Sequence, residues 1–354
     1  MKLSEVLPTI ALAVSAAASP TRPPCLRDEF RWVDLPAIGG GVPIQEQGTA
    51  ATDSHIYLLG GIPPNASNYQ AAVPSTSRFE AYSLDDGTWQ TLPPIPRAFT
   101  HTNAAAVGSR VYVLGGLTGD GADKIWRASG DCFVYDIAAG TWAALPPMPA
   151  GQARGAAAVA VLGATIYLAG GMERLEVKEG GAQTSLTLVT AYDTAAGTWT
   201  ALPALPAPRD HAGAAVVGRA LYVVGGRDRG QPNVRNTTWT LDLAAPRRTA
   251  GGWTARAQMP TARGGLAVGV LGQGAYIAAL GGEGNPDPAS SGVFNETEVY
   301  DVRRDTWARL PAMPHPRHGT VAASARDRVY VPGGGVLIGA GPVDTFDALE
   351  LVRC

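Results

Sequence analysis

The chain has 354 residues, of which 45% are apolar and only 16% charged, a balance that excludes a disordered polymer. Its 44 glycines and 28 prolines are too many for a helical protein and suit short strands joined by turns. With 28 basic against 30 acidic residues the net charge is −2, which leaves no basic stripe for nucleic acid and little attraction to an anionic membrane.

In chain order, the first feature reads as a secretory leader. Lys2 precedes an apolar run from Leu7 to Ala18, too short to span a bilayer, and Ala16-Ala17-Ala18 offers small residues for cleavage. The expectation is a signal peptide over residues 1–18 and a single domain over 19–354, in the secretory pathway or outside the cell. No later apolar run is long enough for a membrane helix, so no membrane contact is expected after cleavage. Three Asn-x-Ser/Thr sequons, at Asn65, Asn236 and Asn295, lie in polar turn-like stretches and fit N-linked glycans.

A β-rich segment from Phe30 to Leu35, around Trp32, comes next, and then the chain repeats itself. Glycine pairs recur at Gly60-Gly61, Gly115-Gly116, Gly170-Gly171, Gly225-Gly226, Gly281-Gly282 and Gly333-Gly334, in steps of 55, 55, 55, 56 and 52 residues. Each follows a β-rich run carrying a tyrosine: Tyr57, Tyr112, Tyr167, Tyr222, Tyr276 and Tyr330. Tryptophans recur with nearly the same period at Trp89, Trp142, Trp199, Trp253 and Trp307. Most repeats then pass through a Leu-Pro or Met-Pro segment to an arginine at Arg97, Arg154, Arg209, Arg263 or Arg317.

This grammar resembles the kelch repeat over nearly all of the chain beyond the leader. The resemblance implies an all-β, six-bladed β-propeller. The physics agrees: four short strands cannot bury both faces alone, and radial stacking gives them a shared core. Tyrosines and tryptophans would fill the space between blades. The sixth unit lacks its tryptophan strand, and Phe30 to Leu35 supplies a copy at the other end, so the N-terminal strand is expected to complete the last blade and remove an open edge. Cys25 and Cys354 would then be neighbours and, in an oxidising compartment, form a disulfide. Cys132 is left as a buried inert thiol.

Kelch blades place two sets of loops around one mouth of a central channel. One set is the variable stretch after each glycine pair, where Tyr69, Lys124, Trp126, Arg227, Arg229 and Phe294 stand out as large side chains. The other is the joint between blades. Aligned on the tyrosines, the joints put Ile44, Phe99, Arg154, Arg209, Arg263 and Arg317 in one ring. Two residues later the ring reads Glu46, His101, Ala156, His211, Gly265 and Gly319, and between them lie Gln45, Thr100, Gly155, Asp210, Gly264 and His318. The repeat does not require His101, His211 or Glu46, so these are the expected catalytic groups, imidazole being suited to proton transfer near neutral pH. Phe99, Arg154, Arg209, Asp210, Arg263, Arg317, His318, Tyr69, Trp126 and Phe294 are expected to bind substrate.

There is no Cys-x-x-Cys, no zinc-ligand spacing and no Gly-x-Ser-x-Gly elbow, and neither a metal nor another cofactor is expected. Two cysteines committed to ring closure fit poorly with the copper site of galactose oxidase-like propellers, and the Glu-x-x-x-Asp-x-x-x-His iron motif of plant specifier proteins does not occur. A secreted, Ala/Gly-rich propeller with sequons is similar to kelch-type proteins of fungal natural-product pathways. Some of those resemble hetero-Diels–Alderases, which dehydrate a benzylic alcohol to an ortho-quinone methide and join it to a terpene alkene. That resemblance implies an aromatic polyketide and a terpene as ligands. The alternatives are a glycan- or protein-binding propeller and a structural wall protein.

Overall fold

The computed structural model describes residues 28–64, 74–119, 123–177, 181–244 and 252–352. The leader, Cys25, Asn65, Tyr69 and Cys354 lie outside the described residues, and so does the expected disulfide.

Six antiparallel sheets succeed one another along the chain as the blades of a propeller. Blade one comprises Gly48–Ala51, His55–Leu59, Phe79–Ser83 and Trp89–Thr91. The other blades repeat this order of strands from the inside outwards. The innermost strands are Gly48–Ala51, Ala104–Val107, Ala158–Leu162, Gly213–Val217, Ala267–Leu271 and Ala323–Ala325. Each touches the next and the last touches the first, which closes the ring.

Closure follows the expected route. The N-terminal strand Glu29–Asp34 pairs antiparallel with Phe346–Val352, Trp32 opposite Leu349, and becomes the outer strand of blade six. Blade two departs from the pattern. Its third strand, Ile125–Asp136, is twelve residues long and overruns the blade. The overrun pairs with Met172–Glu176, and that strand pairs with Gln183–Ser185, so a stretch expected to be plain loop covers an otherwise open edge.

The repeated aromatics bind blade to blade. Indole N–H groups of Trp89, Trp142, Trp253 and Trp307 donate to the carbonyls of Pro36, Pro93, Pro203 and Ala257, each about fifty residues earlier and thus one blade back. Tyr82, Tyr135, Tyr192 and Tyr300 lie 4.9–5.3 Å from the tryptophan of their own blade. The glycine pairs are steric necessities. At Gly170 a Cβ would sit 2.2 Å from the Arg209 carbonyl oxygen, and at Gly281 it would sit 2.3 Å from that of Arg317. Each glycine thus lets the next inter-blade joint lie against the sheet, and those joints carry the candidate site.

Candidate functional site

Glu46, His101, Ala156, His211, Gly265 and Gly319 hold equivalent places in the six joints, and all six have φ between 50 and 61°. This left-handed conformation is costly for any residue but glycine, and four of the six are not glycine. A closed circle of hydrogen bonds enforces it. The Glu46 amide donates to the Gly319 carbonyl, His101 to Glu46, Ala156 to His101, His211 to Ala156, Gly265 to His211 and Gly319 to Gly265, at 2.6–3.1 Å.

Three side chains of this ring meet. His101 Nε2 lies 3.5 Å from Glu46 Oε2, and His211 Nε2 lies 3.6 Å from the same oxygen. The two imidazoles stand nearly perpendicular with centroids 5.0 Å apart. Small residues on the other blades make this convergence possible: a Cβ on Gly319 would stand 2.5 Å from Glu46 Oε1. The outer nitrogens of both rings are engaged. His211 Nδ1 is 2.6 Å from Asp210 Oδ1, and His101 Nδ1 is 3.1 Å from Thr100 Oγ1. His211 Nε2 is buried with no hydrogen-bond partner.

Charge sorts these groups. Burial pushes His101 down to about 4, against the upward pull of Glu46. Burial and Arg227 also press on His211, but Glu46 and Asp210 outweigh them and hold it above the usual imidazole value. Burial opposes ionisation of Glu46, yet the two histidines overcome it and leave a carboxylate. The cluster therefore sets a Glu46 carboxylate beside a His101 that resists protonation and a His211 that favours it.

A buried ionic network extends outwards from it. Asp210 accepts from Gln183 Nε2 at 2.7 Å and from Ser185, and lies 3.4 Å from Arg227 Nε. Arg227 NH1 reaches Glu283 at 2.9 Å, and His318 Nδ1 lies 3.4 Å from the other Glu283 oxygen. Glu283 also accepts from Gln231 at 3.0 Å and from the Gly339 amide at 2.8 Å. The hairpin of Gly335–Leu337 and Ala340–Pro342 thus crosses the mouth, and Leu337 and Ile338 at its tip are 48% exposed. On the other side Ile62, Leu117, Trp126 and Met172 form a buried apolar cluster, with Trp126 edge-on to His101 at 5.6 Å.

Below the cluster is open space. A chamber of about 50 Å³ is lined by Glu46, His101, His211, Gly265 and Gly319. Thr102, Ala157, Ala212, Leu266 and Val321 line both that chamber and a cavity of about 310 Å³ between the innermost strands, mainly walled by alanine and valine. The cluster sits at one end of this central channel.

The structure brings together Glu46, His101, His211, Asp210, His318 and Trp126 from the sequence expectation. It does not bring the arginine ring there, and this is a correction. Arg154, Arg209, Arg263 and Arg317 are at most 2% exposed and bond within their own blades. Arg154 donates to the Leu168 carbonyl and Thr190, Arg209 to Thr237 while stacking on Trp239, Arg263 to Glu298 and the Ala279 carbonyl, and Arg317 to Asp347 and the Val331 carbonyl. A guanidinium has five donors, and in blades three, five and six one of them reaches a strand carbonyl while others hold side chains or loop carbonyls. Phe99 is likewise fully buried in the core between blades one and two, and Phe294 is buried in the blade-five loop. Among the sequons Asn295 is exposed, whereas the Asn236 amide donates to the Met259 carbonyl at 3.1 Å. Cys132 is buried, and burial raises its thiol to about 12.

Sequence reasoning missed Glu283 and gave Arg227 no role. Both directly follow a glycine pair, where blades one to three carry Ile62, Leu117 and Met172, and that break from apolar to charged residues is a readable signal. For metal ligation, two groups among the described residues have suitable types within reach: Glu46 with His101 and His211, and Asp34 with His315 and Asp347. The second has two largely exposed members, and Arg317 already holds its Asp347.

Comparison with known proteins agrees with the fold. The family model described as KLHDC2/KLHL20/DRC7 Kelch-repeats domain matches residues 102–334. Kelch-like protein terF of Aspergillus terreus is 37% identical over 318 residues, covering 88% of this chain and 66% of the relative. Kelch domain-containing protein 8B of Homo sapiens is 33% identical over 177 residues, covering 47% of this chain and 46% of the relative. The chain thus spans just under two thirds of the length of terF and under half of the human protein. A solved structure, "Structure of YjhT", superposes with a TM-score of 0.70 at 15% identity, covering 90% of this chain and 99% of the other, a likeness of fold alone.

Proposed function

The chain belongs to the kelch-repeat family, and we propose that it is a propeller enzyme of a natural-product pathway, acting in the secretory pathway or outside the cell. Its reaction is loss of a benzylic hydroxyl as water from an aromatic polyketide, giving an ortho-quinone methide that a terpene alkene captures by hetero-Diels–Alder addition. The observation that carries this reading is the convergence of Glu46, His101 and His211 at one end of the central channel, on ring positions that repeat architecture leaves free. The cluster is where the hydroxyl departs. The small alanine and valine side chains of the channel leave room for the second reactant, and holding two reactants in register is itself a large part of catalysing a cycloaddition. The 37% identity to a fungal kelch-like protein is compatible with such a role.

The test is product formation from a hydroxymethyl polyketide phenol and a terpene, alongside a thermal melt. His101→Ala or His211→Ala should lower turnover about a hundredfold, the scale of one catalytic group. The melt should move little in His101→Ala, because Ala156 occupies the same ring position with φ 50°, and should fall further in His211→Ala, which also takes a partner from the buried Asp210. Full activity in both variants would remove the histidines from the reaction. A second reading, a glycan- or protein-binding module, is favoured by the exposed Val336, Leu337 and Ile338 beside the mouth. It wins if wild-type protein does not accelerate the reaction and a glycan or protein partner protects the hairpin.

A further inference from the structure

The three ligating atoms at the centre of the ring have the spacing of a coordination shell. In a tetrahedral site with metal–ligand bonds near 2.0–2.2 Å, ligand atoms lie roughly 3.4 Å apart. Here His101 Nε2 and His211 Nε2 lie 3.5 and 3.6 Å from Glu46 Oε2, too long for hydrogen bonds and right for a shared ion, and all three atoms fall within 4.8 Å of one another. His211 supplies an independent sign. The residue is 7% exposed, and its Nε2, directed at Glu46, has no hydrogen-bond partner. An orphaned imidazole nitrogen in a dry site is a cost that a ligand bond removes.

The outer shell is also that of a metal site. Ligating histidines characteristically donate their other ring N–H to a carboxylate or another oxygen, which fixes the tautomer and aims the free lone pair at the metal. His211 Nδ1 has Asp210 at 2.6 Å, and His101 Nδ1 has Thr100 Oγ1 at 3.1 Å. Asp210 is in turn fixed by Gln183 and Ser185. Three protein ligands leave one position open, the pattern of catalytic rather than structural zinc. The adjoining chamber of about 50 Å³ has room for it.

We propose that Glu46, His101 and His211 bind a divalent transition-metal cation of the zinc class, with the fourth position open to the channel. This deepens the reading of the cluster as the place where a hydroxyl leaves, and rests on it for its chemistry, although not for its geometry. With the alcohol oxygen in the fourth position, the C–O bond breaks with its electron pair remaining on oxygen. The phenolic proton joins that hydroxide and one water departs, so no oxidant or reductant is consumed.

The experiment is calorimetric titration of Zn²⁺ into full-length protein dialysed against a chelator, followed by X-ray absorption at the zinc edge. One equivalent should bind, with two nitrogen ligands and one carboxylate oxygen from the protein. Affinity should fall about a hundredfold or more in His101→Ala and in His211→Ala, and about tenfold in Asp210→Asn, where only the positioning of His211 is disturbed. His315→Ala, in the other acid–histidine group, should leave the titration unchanged. Zinc affinity that is the same in wild type and in both ring variants overturns the site, and so does wild-type binding no tighter than that of the Glu46→Gln/His101→Ala double variant. Full dehydration by chelated protein would sink the metal while sparing the proposed reaction. Tight zinc binding without dehydration would keep the site and remove the reaction.

Discussion

At the residue after each glycine pair, blades one to three carry Ile62, Leu117 and Met172, whereas blades four to six carry Arg227, Glu283 and Gly335. Each makes the same backbone bridge to its own joint: Ile62 with Gln45, Leu117 with Thr100, Met172 with Gly155, Arg227 with Asp210, Glu283 with Gly264, and Gly335 with His318. The scaffold is therefore common to both halves, and only the side chains differ. In the first half they pack with Trp126 into an apolar wall. In the second they form the chain Asp210–Arg227–Glu283–His318. The Glu46–His101–His211 cluster lies between the two. One half offers it a dry face, and the other fixes the orientation and charge of His211. A repeat fold gains a polarised site by varying one register position while its hydrogen-bond frame stays constant.

The largest effect should come from cutting the ionic half at its middle. Arg227→Met removes the cation shared by Asp210 and Glu283, which are 0% and 1% exposed. Two buried carboxylates lose a partner, so stability should drop about 3–5 kcal/mol. Met172→Leu, at the equivalent place on the apolar side, nearly conserves volume and should cost less than about 1.5 kcal/mol. Chemical denaturation of both variants measures the contrast, and equal losses would mean that the network contributes no more than packing.

The halves should also respond to acid with opposite signs. Burial resists ionisation of Glu283, but His318 and Arg227 outweigh it and hold its carboxyl low. Its contribution to stability is therefore full above the ordinary carboxylate range, near 4.5, and is lost as pH falls through the folded value. Glu80 on blade one is different. Burial raises it, and Arg78 offsets that only in part. Its ionisation costs stability above its folded value, and that cost is relieved as pH falls towards 4.5. In denaturation midpoints measured against pH, Glu283→Gln should flatten the acid-side loss, whereas Glu80→Gln should remove a slope of the other sign. Parallel curves for both variants would contradict the assignment.

Much of this architecture was legible in the sequence because a repeat converts chemistry into register. Tyrosine, tryptophan and glycine recur wherever a blade must pack or turn, so fold, blade number and closure through Trp32 could be read directly. The ring of Glu46, His101 and His211 was legible for the converse reason, since these residues interrupt the pattern. Register, however, gives position and not direction. Arg154 and His211 are both joint residues, yet the arginine turns into its own blade while the imidazole faces the axis. The difference lies in φ: the ring residues are left-handed at 50–61° and the arginines are not, and a sequence does not display that turn. Glu283 was missed because the residue after each glycine pair reads as the start of a variable loop, although Ile62, Leu117 and Met172 mark it as a register position of its own.

The smallest effect, and the sharpest test of the ring, is a single methyl group placed on either of its glycines. Gly265 and Gly319 share the left-handed conformation, at φ 61 and 60°. Alanine should cost each about 1 kcal/mol in backbone strain, a price the ring already bears at Ala156. What the methyl meets is different. At Gly265 the nearest atom is the Gly319 amide nitrogen at 3.2 Å, which a slight shift accommodates. At Gly319 it meets Glu46 Oε1 at 2.5 Å, so the carboxylate must swing away from the two histidines. Thermal melts should therefore fall by similar small amounts in Gly265→Ala and Gly319→Ala. Turnover should fall about ten- to hundredfold in Gly319→Ala alone, the scale of a displaced catalytic group. Equal turnover in the two variants would show that Glu46 can leave its place without consequence, and the cluster would then reduce to its histidines.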